Sequence, residues 1–214
     1  MNEILFKTFF LGLFILFFVV RAYHHHTARR EGGKIEYREK NLKALLIFRM
    51  ISGLILLTSF GLYFVAPQWV AWAAIPLPAW VRLAGLIIGY ANLPLLWWIE
   101  ATLGKNFNTV LHLRDGHTLV THGPYRWVRH PMYTSLYLFT IAVQLASASW
   151  LIGLPGLIGL TVIVVNRIDR EEALMIEKFG DEYRAYIQRT GRFLPRFVKR
   201  RSGGTSLLRP KDSL

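Results

Sequence analysis

The sequence predicts an all-α fold, a polytopic integral membrane bundle of about five transmembrane helices, and three observations carry that expectation. The 214 residues are 53% hydrophobic and yet hold a net charge of +13. These two properties are segregated along the chain, apolar stretches alternating with basic ones, a combination seldom met in a soluble domain of this length. There are also no cysteines, so no disulfide framework, thiolate nucleophile or Cys-ligated metal competes with the membrane reading. Nucleic acid is the other common partner of a strongly basic chain. Here the basic residues flank apolar spans, which fits a membrane interface, and no nucleic-acid partner is expected.

The spans follow in order. Residues 4–20 form the first apolar stretch, interrupted only by Lys7. No small-residue cleavage site follows it, because Arg21-Ala22-Tyr23 runs into three histidines, so it reads as a span and not as a signal peptide. Residues 44–65 form the second, with Arg49 near one end where it can snorkel. Residues 81–99 form the third, and 131–148 and 150–165 the fourth and fifth. A span needs about 20 residues, so the last two are short and should pair as a close hairpin. Pro155 and Gly156 predict a kink in the fifth, tolerable where neighbouring helices satisfy the freed backbone. His24, His25 and His26 are consecutive, so on a helix they cannot all face one ion, and no metal site is expected. The face of Phe9, Phe10, Phe14, Phe17 and Phe18 reads as lipid-facing or packing surface.

Direction comes from the connections. Residues 21–43 hold seven Lys/Arg against three Glu, and 167–214 hold twelve basic residues. Lys105, Arg114, Arg126 and Arg129 lie between 100 and 130, whereas 67–80 carry no charge but three tryptophans, Trp69, Trp72 and Trp80. An excess of Lys and Arg marks cytoplasmic loops and tryptophan marks the interface. The N-terminus is therefore expected outside and the C-terminus in the cytoplasm, with the polar chemistry on the cytoplasmic side. By organisation, residues 1–99 supply three spans, and 100–197 form a core of a helical hairpin with polar segments. Residues 198–214 form a basic tail read as disordered, whose Lys199, Arg200 and Arg201 can touch anionic headgroups.

Two segments are too dense in polar and aromatic residues to be simple connectors. In the first, His130 precedes Pro131. Proline disfavours helix for the residue before it and suits the first helical turn, so His130 should stand at the mouth of the fourth span. The free N–H groups of that turn and the helix dipole attract a carboxylate, and Arg129 and His130 reinforce the preference. The same residues could equally be interfacial anchors. In the second, Arg167 and Glu171 are spaced i, i+4 on the cytoplasmic continuation of the fifth span. A surface pair of that kind is worth little. Arg167, however, falls within a turn of the bilayer, where an ionisable group is expensive and usually faces protein or a wet cavity. A carboxylate there can accept from the ribose hydroxyls or ammonium of a cofactor.

At these residues the sequence resembles the isoprenylcysteine carboxyl methyltransferases. The matching pieces run in order over about residues 100–197. They begin with Leu103-Gly104-Lys105-Asn106-Phe107-Asn108, Thr118-Leu119-Val120-Thr121 and Gly123-Pro124-Tyr125. Arg129-His130-Pro131-Met132-Tyr133, Arg167, Glu171-Glu172, Phe179-Gly180-Asp181-Glu182-Tyr183 and Phe193-Leu194-Pro195 complete the set. Any one piece is weak and the ordered set is specific. Ser135 departs from the pattern, standing where the family often has glycine. The resemblance implies a membrane enzyme with a cytoplasmic pocket for S-adenosylmethionine. Its candidate contacts are Leu119, Val120, His122, Gly123, Tyr125, Arg129, His130, Pro131, Tyr133, Glu171 and Glu172. Arg167 and Glu171 are the candidate catalytic residues, Arg167 orienting the acceptor carboxylate, with Asn106 and Asn108 on the acceptor side. The implied partners are the bilayer and a lipidic methyl acceptor. Related members methylate phospholipid amines or small thiols, and membrane sterol reductases that use NADPH share a similar C-terminal half. An amine or thiol acceptor would need a base, for which His130, His122 and Glu171 are candidates.

Overall fold

The computed structural model describes residues 3–31, 35–37, 42–104, 112–114 and 118–196. Five helices form in the expected places: α1 (Glu3–Glu31), α2 (Leu42–Val65), α3 (Ala79–Leu103), α4 (Pro131–Ser147) and α5 (Trp150–Arg189). Runs this apolar fold as helix because only there does each segment satisfy its own backbone inside lipid. α1, α3 and α5 are long and apolar enough to cross a membrane, while α4 has 17 residues and the apolar part of α2 is Met50–Val65. Large apolar residues point outward along the spans, among them Leu54, Leu57, Ile87, Ile158 and Val165. Such a surface is suited to lipid, and the chain is a multi-pass membrane protein.

Two details differ from the sequence reading, and a third divides between two readings that it left open. A short antiparallel ribbon, β1 (Ile35–Tyr37) with β2 (His112–Arg114), joins two of the basic segments and was not expected of an all-helical chain. α5 keeps helical backbone angles through Pro155 and breaks instead at Gly180, at φ 53°, a conformation glycine adopts without steric cost. The phenylalanines of α1 divide: Phe10, Phe14 and Phe17 are buried, while Phe9 and Phe18 face outward.

Lipid solvates an apolar side chain about as well as protein does, so helices in a membrane associate through close packing and polar bridges. Both devices are present. A Cβ at Gly85 would lie 2.6 Å from the Ala146 backbone nitrogen, so α3 and α4 touch backbone to backbone. Phe17 of α1 stacks on Phe139 of α4 with ring centroids 3.7 Å apart. Ser135 donates to Asn92 Oδ1 at 2.9 Å, and Asn92 donates back to the Ser135 carbonyl at 3.1 Å. The residue that departs from the family pattern thus clamps α4 to α3.

The two ends of the bundle are distinct. At one, Ala148 and Ser149 alone connect α4 to α5, and Arg82 reaches the Ala146 carbonyl and the Tyr63 hydroxyl. Glu3 pairs with the same Arg82, while Arg21, at the other end of α1, pairs with Glu100 in the last turn of α3. α1 and α3 are therefore parallel, and residues 67–78 and 148–149 share one end while 118–130 and the far half of α5 share the other. α5 has 40 residues but breaks at Gly180; the stretch before the break is roughly 45 Å of helix, about half as long again as a bilayer core. One crossing therefore does not need all of it.

Candidate functional site

The polar end is assembled by chain reversal. Past the break at Gly180 the chain comes back and zips onto the segment before α4: Arg129 N–H donates to the Gly191 carbonyl at 2.8 Å and His130 N–H to the Arg192 carbonyl at 3.0 Å. The Thr134 hydroxyl donates to the Phe193 carbonyl at 2.9 Å, and the Tyr186 hydroxyl to the Tyr125 carbonyl at 2.6 Å. Pro131 opens α4, as its missing N–H and fixed φ allow, and the helix start has no side-chain cap.

Into this frame come the ionisable groups, and the two adjacent glutamates are treated differently. Glu172 accepts from Arg129 Nε at 2.9 Å, from Arg192 Nη2 at 2.6 Å and lies 3.2 Å from His130 Nε2. Burial pushes its carboxyl up, but the hydrogen bonds from His130, Arg192 and Arg129 outweigh that and hold it well below the usual carboxylate range. Arg129 also donates to the carbonyls of Ile187 and Thr190, and Arg192 to Asp169. Glu171 accepts from the Tyr133 hydroxyl and from Arg167 Nη2, each at 2.9 Å, with His130 Nδ1 at 3.7 Å from its other oxygen. Arg167 is buried, 6% exposed, which sets it apart from an ordinary surface i, i+4 pair. His130 stands between the carboxylates, its ring 5.7 Å from that of Tyr133.

The remaining candidate residues form the floor and rim. Gly123 takes φ 57°, and a Cβ there would lie 2.9 Å from Thr102 Oγ1, so the turn that buries Tyr125 favours glycine twice over. Burial, and then the nearby Tyr186, Glu100 and Glu171, push the Tyr125 phenol well above its ordinary value. Burial likewise pushes Tyr186 up to about 12. Leu119 and Val120 are half-buried beside this turn, and His122 is exposed. Asn106 and Asn108 lie outside the described residues. Arg192 completes the Glu172 network but carries no local sequence signal, because the contact spans twenty positions and exists only after the chain reverses. Arg21 and Glu100 are 79 positions apart and equally invisible to spacing.

A polytopic helical membrane protein with a buried Arg–Glu pair beneath an uncapped helix start is the class that fold and site define. Residues 83–177 match the isoprenylcysteine carboxyl methyltransferase (ICMT) family model, and over that segment the chain resembles the family. It is 32% identical over 130 residues to the protein-S-isoprenylcysteine O-methyltransferase of Homo sapiens, covering 60% of this chain and 45% of that one. To the Xenopus laevis protein of the same name it is 33% identical over 126 residues, 56% of this chain and 42% of that one. A solved structure of a eukaryotic intramembrane Ras methyltransferase, ICMT, superposes with a TM-score of 0.51 at 26% identity, covering 74% of this chain and 54% of that one. The chain thus spans about half the length of the relatives it matches.

Proposed function

We propose that the protein is a membrane-embedded methyltransferase that uses S-adenosylmethionine to methylate the carboxylate of an isoprenylcysteine-type lipid, its N-terminus outside and its C-terminus in the cytoplasm. The observation that carries this reading is Arg167, buried with its guanidinium on Glu171, beside the uncapped start of α4. The residues present suit the cofactor: a helix start attracts its carboxylate, and Glu171 can accept from its ammonium or ribose. The rings of Tyr133 and Phe193 lie beside His130. Glu172, already engaged by Arg129, Arg192 and His130, is better suited to holding the frame than to binding a ligand.

When bound, S-adenosylmethionine supplies an activated methyl on sulfonium, so neither metal nor covalent intermediate is required. A carboxylate acceptor is ionised at neutral pH and needs no base. What remains for the protein is alignment and exclusion of water. Arg167 can align the acceptor carboxylate through the planar fork of its guanidinium. Tyr133 and His130 keep Glu171 oriented. An acceptor with an apolar tail can approach from the bilayer without leaving lipid.

The runner-up is methylation of a lipid amine or small thiol, for which His130, set between two carboxylates, would be the base. A labelled-methyl assay on protein in nanodiscs, offered an S-prenylcysteine, a phospholipid and a hydrophobic thiol, separates the readings. Label is expected in a base-labile ester of the prenylcysteine. Label in phospholipid or thioether alone would transfer the assignment to the runner-up. Binding of NADPH with none of S-adenosylmethionine would overturn both.

A further inference from the structure

One exposed stripe of α3 runs the whole length of a membrane crossing. Trp80, Ile87, Ala91, Pro94 and Trp98 all face outward, and at 3.6 residues per turn they fall within roughly 40° of one line along the helix. Trp80 and Trp98 stand five turns apart, about 27 Å of rise, close to the ~30 Å of a bilayer's hydrocarbon core. Tryptophan concentrates at both membrane–water interfaces. The two indoles therefore bracket a lipid-facing stripe on a helix long and apolar enough to span, and Trp98 marks the headgroup level at the polar end.

At Trp98 that stripe meets a cation. The Trp127 ring stands edge-on to Trp98 with centroids 5.9 Å apart, and the Arg126 guanidinium lies over the Trp127 ring at 4.1 Å. Arg126 and Trp127 are both exposed. Arg129, Arg167, Arg184 and Arg192 each have a carboxylate partner, whereas Arg126 pairs with none among the described residues. A guanidinium stacked on an indole keeps its N–H donors in its own plane, free for a two-pronged grip on phosphate.

We propose that Arg126, Trp127 and Trp98 form a headgroup site for an anionic phospholipid. The phosphate rests on the guanidinium, and an acyl chain runs down α3 over Pro94 and Ala91, which present little side chain. A cation at the head of an apolar stripe matches a phospholipid in both charge and length. A zwitterionic headgroup brings its own ammonium, which Arg126 repels, so the site favours lipids whose net charge is negative. Arg126 closes the turn of residues 123–126 that buries Tyr125, three positions before Arg129, so a bound lipid ties this turn to the membrane surface. The assignment is independent of the methyl-transfer reading, because it is read by lipid binding and requires no turnover.

The experiment is native mass spectrometry of the full chain, titrated in detergent with phosphatidylglycerol or with phosphatidylcholine of identical chains. Wild type should bind the first phosphatidylglycerol about fivefold more tightly than phosphatidylcholine, the effect of one basic residue near an anionic surface. Arg126→Gln should bring that ratio near one. Arg170→Gln, which removes the same charge from an exposed position of α5, should leave it unaltered. A ratio near one in wild type, a ratio that survives Arg126→Gln, or one lost equally in Arg170→Gln overturns the assignment. A second reading needs no variant. In vesicles of both lipids at equal content, bromine on the phosphatidylglycerol chains should quench more tryptophan fluorescence than bromine on phosphatidylcholine, and equal quenching would also overturn it.

Discussion

The two ends of the α4–α5 pair solve the same packing problem by opposite means. At the hairpin end Ala148 and Ser149 make the turn, Ile75 N–H donates to the Ala148 carbonyl at 2.7 Å, and Gly85 lets α3 touch the Ala146 backbone. Small residues and backbone carbonyls do most of this, helped by Arg82, which bonds the Ala146 carbonyl and pairs with the exposed Glu3. At the opposite end Arg129, His130, Arg167, Glu171, Glu172 and Arg192 interlock, with Arg167 and Glu172 buried. Desolvating such groups costs several kcal/mol each, a cost that architecture alone does not require. An end that only closes uses shape; an end built from charge is there for chemistry or for holding the chemistry in place.

The sharpest break of that contrast is Glu172→Ala. Removing one partner from a buried ionic network leaves Arg129 without its carboxylate and Arg192 with Asp169 alone, so stability should fall by about 3–5 kcal/mol, read as thermal unfolding in detergent. The sign of its pH dependence follows from the depressed carboxyl. Glu172 contributes fully above the ordinary glutamate value of 4.5, and its contribution fades as pH falls from there through its lower folded-state value. The gap between wild type and Glu172→Gln should therefore be flat from about pH 8 to 5 and narrow in stronger acid. A gap that widened in acid would remove the ionic account of this end.

At the hairpin end the expected effect is smaller. Gly85→Ala drives a methyl into backbone at 2.6 Å and should cost about 1–3 kcal/mol, with no change in S-adenosylmethionine affinity. Ser135→Ala removes the hydroxyl bridge to Asn92 and should cost about 0.6 kcal/mol, the average for such bonds between membrane helices. Smallest of all is Asp181→Asn. Asp181 is fully exposed in its pair with Arg184, and its replacement should leave unfolding and turnover unaltered.

Much of this was legible in the sequence, and unevenly. Hydropathy alone marks all five helices, because a lipid-embedded segment has no alternative to helix. The hairpin is readable from the two-residue gap between spans, and the mouth of α4 from His130 preceding Pro131. The i, i+4 spacing of Arg167 and Glu171 is visible, yet its burial is not, since burial depends on Tyr133 arriving from another helix. The division of labour between Glu171 and Glu172 is wholly tertiary: it is set by Arg192, which returns after the break at Gly180. Glycine at 180 hints at an interruption, but nothing local says where the chain goes next. The ribbon of residues 35–37 with 112–114 is likewise a long-range pairing of two segments that individually read as basic loops.

The comparison between holding and doing comes down to Arg167 and Glu171. The direct measurement is S-adenosylmethionine affinity, acceptor affinity and methylation rate for Arg167→Ala and Glu171→Ala in nanodiscs. Glu171→Ala should weaken S-adenosylmethionine about ten- to a hundredfold, the loss of one charge-assisted hydrogen bond. Arg167→Ala should leave that affinity almost unchanged while weakening the acceptor and slowing turnover, with Arg167→Lys rescuing poorly because a point charge lacks the two-pronged grip of guanidinium. Equal losses of both affinities in both variants would mean that the pair only holds the bundle, and would contradict the account.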